Sequence, residues 1–305
     1  MAIQKNAIDG WLVIDKPEGM GSTQVVSTLK RLLHPMKIGH AGTLDPLASG
    51  VLPIALGKAT RLIPYAMDGE KIYEFDVTWG SETNTDDAEG IVTYTSPNRP
   101  TKEQLESVLP RFIGQVMQMP PAYSALKING KRAYDLARAG QTVELKERPV
   151  LIKSLEISRH TPAVTRFCVT CGKGTYVRAL GRDLGRILGC YGHITHLRRL
   201  KCGPFRVQDA ILLATCEKTE YKETARWVLP LETVLDDILV LAVKEEDIRR
   251  LIQGQALSRK LFMTQYPTGV PENTVFKVFF SNQLVALVHS VSGAIRPLRI
   301  FTTTI

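Results

Sequence analysis

Asp45 is the residue whose type and setting most readily suggest chemistry. It lies in residues 39–57, which read Gly-His-Ala-Gly-Thr-Leu-Asp-Pro-Leu-Ala-Ser-Gly-Val-Leu-Pro-Ile-Ala-Leu-Gly. Glycines 39, 42 and 50 and prolines 46 and 53 mark turns, because glycine reaches positive φ and proline fixes φ while removing a donor. Pro46 biases Asp45 toward extended backbone, so its carboxylate can project from a shaped loop. The apolar run 51–56 predicts a buried strand that anchors this loop rigidly, as a functional carboxylate requires. Aspartate before proline is also an ordinary turn former, so both readings stand open from spacing alone. A phosphate-loop reading fails: Gly50 and Gly57 enclose six residues where four are needed, and Lys58 precedes Ala59 where Ser or Thr is required.

A second group of residues is cationic. Residues 173–206 hold eight basic side chains (Lys173, Arg178, Arg182, Arg186, Arg198, Arg199, Lys201, Arg206) against the single acid Asp183. The spacing predicts a helix over 175–188, on which Arg178, Arg182 and Arg186 form one stripe beside Val177, Leu180 and Leu184. Such a stripe suits phosphates and would make binding steeply salt dependent. Lys127, Lys131, Arg132 and Arg138 interleave with Tyr123 and Tyr134, the pairing of charge and stacking surface that single-stranded nucleic acid favours. A solvated basic hairpin has the same composition. Residues 172–176 are not a dinucleotide fingerprint, since Val177 stands where the third glycine belongs. Cys168 and Cys171, with His193 and His196, invite a zinc reading, yet 164–171 alternates like a strand, whose residues three apart face opposite sides. No metal is expected. Five cysteines, an odd number, and no apolar leader argue against a disulfide framework.

The elements that must position these residues follow from pattern. Trp11–Ile14 reads as a strand, and Ser22 as the N-cap of a helix carrying Val25, Leu29 and Leu33. Residues 58–67 read as a short helix, and 71–79 as a strand with Tyr73, Phe75, Val77 and Trp79 on one face. By that pattern Tyr73 is a core aromatic. An acid-rich turn occupies 83–90, a capping box at Thr101 and Gln104 opens a helix that Gly114 ends, and Asn129-Gly130 marks a hairpin. Beyond residue 235 the chain becomes strand-rich, with a helix at 245–252 and strands at 275–280, 284–289 and 295–301. At 305 residues the chain accommodates one large and one small domain. Its formal charge of +9 favours an anionic partner, nucleic acid or membrane surface. No run approaches a membrane-spanning length, which points to a soluble, cytoplasmic protein.

Residues 39–50 closely resemble the signature of the TruB family of tRNA pseudouridine synthases. The resemblance extends in order to Asp15-Lys16-Pro17, Tyr123-Ser124-Ala125-Leu126-Lys127, Lys173-Gly174-Thr175-Tyr176-Val177-Arg178 and Leu197-Arg198-Arg199-Leu200, spanning 11–205. It implies an α+β pseudouridine synthase fold with a mixed, mainly antiparallel sheet over 1–235. An RNA-gripping insertion at 127–150 and a small β-rich PUA-like domain at 236–305 come with it. The implied reaction converts uridine to pseudouridine at position 55 of the tRNA T-loop, on a base flipped out of the RNA. The glycosidic bond breaks and reforms at carbon 5, without a cofactor. Asp45 becomes the catalytic residue, and the resemblance makes Tyr73 a stacking surface instead of core. Tyr176 and Leu197 cover the pocket, Arg178 pairs with Asp45, and His40 organises the loop or touches the base. Lys16 and Asp87 support the site, while Lys127, Lys131, Arg132, Arg182, Arg198 and Arg199 are expected on the RNA backbone. Gly21 stands where Thr or Ser is usual, and the acidic turn carries Asn84 where Asp is usual. The expected partner is the tRNA T-stem-loop, for a monomer with no membrane association and no obligate protein partner. A guide-dependent synthase of ribosomal RNA is the related alternative, and a noncatalytic RNA-binding protein the alternative from another class.

Overall fold

The computed structural model describes residues 5–124, 126–128, 131–132, 134, 145–267 and 269–302, apart from the side chains at 127, 128, 131, 132, 259, 260 and 262. Arg138 and most of the expected insertion at 127–150 therefore lie outside the described residues. Apolar alternation and long aliphatic runs produce a 10-stranded sheet. Its main path begins with a short strand at Ile211–Leu212, parallel to β1 (Gly10–Lys16), which in turn pairs antiparallel to the wholly buried β3 (Ala48–Leu56). A short β2 (Ile38–His40) adds to β3 on a second edge. β3 then runs parallel to β12 (Gly192–Cys202), followed by antiparallel β4 (Lys71–Trp79), β11 (Val164–Cys171), β10 (Arg148–His160) and β7 (Gly114–Gln118). Antiparallel pairs dominate with parallel pairs among them, the mixed arrangement expected.

Helix α1 (Ser22–Leu33) buries Val25, Leu29 and Leu33, the stripe its period predicts. Its N-cap is Gly21 and not Ser22: the Gln24 side chain accepts from the Gly21 N–H at 2.7 Å. Ser22 is used otherwise, as shown below. Helix α3 (Lys102–Val108) carries the expected capping box, and it passes into a 3-10 turn at Leu109–Phe112 before Gly114 opens β7. Residues 57–62 are likewise 3-10, ahead of α2 (Ile63–Asp68), where a continuous helix was expected. Helix α4 (Val177–Ile187) lies against β12 so closely that a methyl group at Gly185 would sit 2.3 Å from the Gly192 nitrogen.

A second, 5-stranded sheet contains β17 (Val275–Phe280), β18 (Gln283–Val291) and β19 (Ala294–Ile300), with short β15 (Leu239–Val240) and β16 (Leu257–Ser258) at its edges. The β17–β18 turn puts Ser281 and Asn282 at φ 47° and 61°, as a tight hairpin demands. Leu284, Leu287 and Phe301 join Trp11, Val13 and Leu62 in one apolar cluster, so the small sheet docks on the outer face of β1 and β3. Among the described residues no helix is long and apolar enough to cross a membrane.

The tightest crossing in the main sheet is at Gly50. It holds φ +101°, and a methyl group there would lie 2.2 Å from the Arg199 carbonyl oxygen. Left-handed strain and backbone overlap together predict that Gly50→Ala destabilises the protein by about 3 kcal/mol. Urea unfolding would show this, and a loss below ~1 kcal/mol would mean that β3 and β12 part more easily than the packing indicates.

Candidate active site

Asp45 occupies the loop between β2 and β3, and three buried side chains hold that loop by its backbone. Ser22 Oγ donates to the Leu44 carbonyl and accepts from the Leu44 N–H, both at 2.9 Å. Arg199 Nε donates to the Val51 carbonyl at 2.7 Å and its Nη2 to the Gly42 carbonyl at 2.9 Å. Lys16 Nζ donates to the carbonyls of Pro17, at 2.8 Å, of Met20, and of Pro46, at 3.3 Å. The strand register aligns these groups in one row across the sheet: Lys16 opposes Gly50, Gly50 opposes Arg199, and Arg199 opposes Tyr73. Burial holds the Lys16 ammonium down at about 8, against the raising influence of Asp45.

With its backbone fixed, the Asp45 side chain projects and stays 37% exposed, with Oδ2 2.9 Å from Arg178 Nε. Arg178, in the first turn of α4, is buried and anchored elsewhere too. Its Nη1 donates to the Thr85 carbonyl and its Nη2 to the Tyr123 carbonyl, each at 2.8 Å, and Nη1 lies 3.3 Å from Asp87 Oδ2. Asp87 is itself nearly inaccessible, taking bonds on Oδ1 from the Thr85 hydroxyl at 2.5 Å and the Glu89 N–H at 3.1 Å. Burial, then the neighbouring Asp87 and Asp45, pushes Glu89 up.

Two cavities meet at Asp45. One, of about 270 Å³, has Tyr73, Tyr176, Leu197, Lys71 and Arg148 in its wall. The other, of about 480 Å³, has His40, Tyr123, Ser124, Tyr134 and the first turn of α1. Tyr73 is half-buried and faces the first cavity, and burial pushes its hydroxyl up to about 12 beside Arg199. The geometry therefore gathers Asp45, Tyr73, Tyr176, Arg178 and Leu197 in one place, with His40 on the opposite side of the carboxylate.

Two of the expected backbone-binding arginines, Arg182 and Arg199, require correction because they are buried. Arg182 is buried, with Nη1 2.9 Å from Asp86 Oδ2, Nε 2.8 Å from Asp183 Oδ1 and Nη2 donating to the Met119 carbonyl at 2.8 Å. Arg186 forms a two-point pair with Glu82 at 2.6 and 2.8 Å. Arg199 is 1% exposed. Arg198 makes a two-point pair with Asp15 at 2.6 and 3.0 Å. Arg178 and Arg182 of the α4 stripe face inward because the close approach of α4 to β12 turns them onto the 82–87 segment, whose acids pair with them, while Arg186 pairs with Glu82 from a half-exposed position. Lys127, Lys131 and Arg132 lie in the antiparallel pair of β8 (Lys127–Ile128) and β9 (Lys131–Arg132), and their side chains lie outside the described residues. Sequence reasoning missed the Ser22 staple, the Glu82 and Asp86 counterions, and Lys71, whose ammonium donates to the Met67 carbonyl and, at 2.6 Å, to the Gly69 carbonyl.

Comparisons with known proteins place the chain in a family. Residues 30–177 match the TruB family pseudouridylate synthase N-terminal domain, and residues 178–236 the tRNA pseudouridylate synthase B C-terminal domain. The chain belongs to the TruB family. It is 52% identical over 305 residues to tRNA pseudouridine synthase B of Bradyrhizobium diazoefficiens, covering 97% of this chain and 87% of that one. With the Rhodopseudomonas palustris protein of the same name it shares 50% over 307 residues, covering 98% and 82%. Among solved structures, a chain of a Cbf5-Nop10-Gar1 complex superposes with a TM-score of 0.70 at 23% identity, over 96% of this chain and 85% of that one. This likeness establishes the α+β pseudouridine synthase fold of the TruB-family chain.

Asp86 gives the site a pH signature. Burial pushes its carboxyl up to about 6, although Arg182 and Arg178 pull it down. A carboxyl raised on folding takes up a proton, so its contribution to stability is full below pH ~4 and is lost as pH rises through about 6. Asparagine has no such dependence. Asp86→Asn should cost more at pH 4.5 than at pH 7, by about 1.4 kcal/mol per unit across the window, in urea unfolding of both proteins. Equal costs at both pH values would show that Asp86 titrates normally.

Proposed function

We propose that this protein isomerises uridine to pseudouridine at position 55 in the T-loop of tRNA, with Asp45 as the catalytic group on an extruded base. As a TruB-family member it is a pseudouridine synthase, and its close relatives carry tRNA in their names. The observation that carries the finer reading is the Asp45–Arg178 pair at 2.9 Å at the junction of two cavities.

Arg178 engages Oδ2 of Asp45, and Oδ1 takes part in no hydrogen bond or ion pair among the described residues. One carboxylate oxygen is thus fixed while the other faces the reacting nucleotide, the arrangement a positioned nucleophile or base needs. An extruded uracil is sized for the smaller cavity, where Tyr73 supplies a face for stacking worth about 1–3 kcal/mol. That contact offsets the cost of extrusion, roughly a few kcal/mol. Tyr176 and Leu197 close the same cavity from α4 and β12. The reaction breaks a carbon–nitrogen bond and makes a carbon–carbon bond within one nucleotide, with no net oxidation or reduction. The guide-dependent alternative rests on likeness of fold alone. We further propose that 1–235 acts as the catalytic domain and 236–305 as a PUA-like appendage.

Tritium at carbon 5 of uridine leaves only when that carbon becomes the glycosidic carbon. Wild-type protein should release it from a labelled tRNA transcript. Asp45→Asn should cut release by more than about a thousandfold while binding the transcript as tightly as wild type. Comparable release by both proteins would remove Asp45 from the chemistry, and release by neither would remove tRNA as the substrate.

A further inference from the structure

We infer that Arg148 is a substrate-binding residue, whose guanidinium takes a phosphate flanking the uridine in the cavity beside Asp45. The inference rests on the reading of that cavity as the uridine site. Arg148 opens β10 and sits opposite Gln118 of β7. Gln118 holds the main chain of Tyr176 at both ends: its Oε1 accepts from the Tyr176 N–H at 2.8 Å, and its Nε2 donates to the Tyr176 carbonyl at 3.1 Å. Arg148 lies over the ring of the same tyrosine, with Cζ 4.8 Å from the ring centroid. Its Nη2 donates to the Gly174 carbonyl at 2.8 Å. One strand pair thereby fixes the plane of the guanidinium in the wall of the cavity that holds Asp45 and Tyr73.

Arginine presents five N–H donors, and among the described residues Arg148 uses one, on Gly174. Its Nε–H is buried without an acceptor, and it pairs with no carboxylate among the described residues. The buried cations of this wall are committed to the protein: Arg178 pairs with Asp45 and Asp87, Arg199 holds two loop carbonyls, and Lys71 donates to the Met67 and Gly69 carbonyls, while Lys173 pairs with Asp68 at the exposed rim. Arg148 keeps both charge and donors for an anion from outside. The fork geometry matches a phosphate at two points, and stacking on Tyr176 aims that fork. A cation here also offsets the repulsion between Asp45 and the phosphates on either side of an extruded nucleotide.

The test uses the full-length protein and an RNA T-stem-loop carrying a neutral methylphosphonate on the 5′ or the 3′ side of the target uridine. On the unmodified RNA, Arg148→Gln should weaken binding about tenfold or more. It should also lower the slope of log affinity against log salt by about 0.7. One of the two methylphosphonates should impose the same loss on wild type, and its combination with Arg148→Gln should cost no more than either change alone. Arg148→Lys should recover the slope without the full affinity, since the charge returns and the fork does not. Full additivity, or methylphosphonates harmless at both positions, overturns the inference and leaves Arg148 a brace for Tyr176. Tritium release by wild type from the unmodified stem-loop, lost in Asp45→Asn, tests the underlying reading separately. Release with unchanged Arg148→Gln binding overturns the inference alone.

Discussion

Lys16 and Arg199 are almost wholly inaccessible, and neither forms an ion pair with a carboxylate among the described residues. A buried cation without a counterion is expensive unless polar groups replace its hydration. Here the carbonyls of residues 17, 20, 42, 46 and 51 do so, four of them through bonds of 2.7–3.3 Å. The consequence reaches beyond those two residues. Any shift of the 42–46 loop would strand a buried charge, so the loop is over-determined and the Asp45 side chain inherits its rigidity. Gly50 makes the arrangement possible, because only a residue without a side chain lets the β3 and β12 backbones approach between the two cations.

Arg178 extends the same logic to a second part of the chain. One guanidinium links α4 to the 85–87 turn and to the carbonyl of Tyr123, and presents its remaining edge to Asp45. Arg182 and Arg186 repeat the link one and two turns further along the helix, to Asp86 and Glu82. Three arginines at fourfold spacing thus fasten α4 to a single acidic ribbon, and the member nearest the cavities is the one shared with Asp45. Removing one partner of such a buried pair leaves the other uncompensated, which costs about 3–5 kcal/mol. Arg178 and Arg182 thus carry charge where water hardly reaches, while Arg186, at the far end of the stripe, keeps about half of its side chain in solvent.

The strands and main helices were legible because their signal is local: alternation in 71–79 and 164–171, an apolar stripe on α1, a capping box at Thr101. Asp45 was legible as a projecting carboxylate from its glycines and Pro46, although only the family resemblance separated catalysis from turn formation. The same resemblance moved Tyr73 from core to cavity wall, which periodicity could not do, since one face of β4 serves both. The destinations of the arginines were not legible. Periodicity places Arg178, Arg182 and Arg186 on one face but does not say whether that face meets water or the acidic turn, a matter of packing between segments 90 residues apart. Ser22 was misread for a related reason: a hydroxyl at a helix start satisfies an N-cap pattern, and its bonds to Leu44 depend on a loop 22 residues away.

Partial exposure of Asp45 then has a physical meaning for the proposed reaction. The loop, the arginine and the sheet fix the carboxylate before any substrate arrives, so little reorganisation remains for the reacting step. What the protein alone does not supply is a dry surrounding: both cavities open to solvent on either side of the carboxylate. An extruded nucleotide filling the smaller cavity would displace that water and lower the local dielectric, strengthening the field of Arg178 on Asp45 at the moment the base is seated. A free uridine lacks the backbone contacts that would hold it seated in that cavity. In the proposed reaction, catalytic competence would therefore be coupled to capture of an RNA, with the substrate itself completing the site.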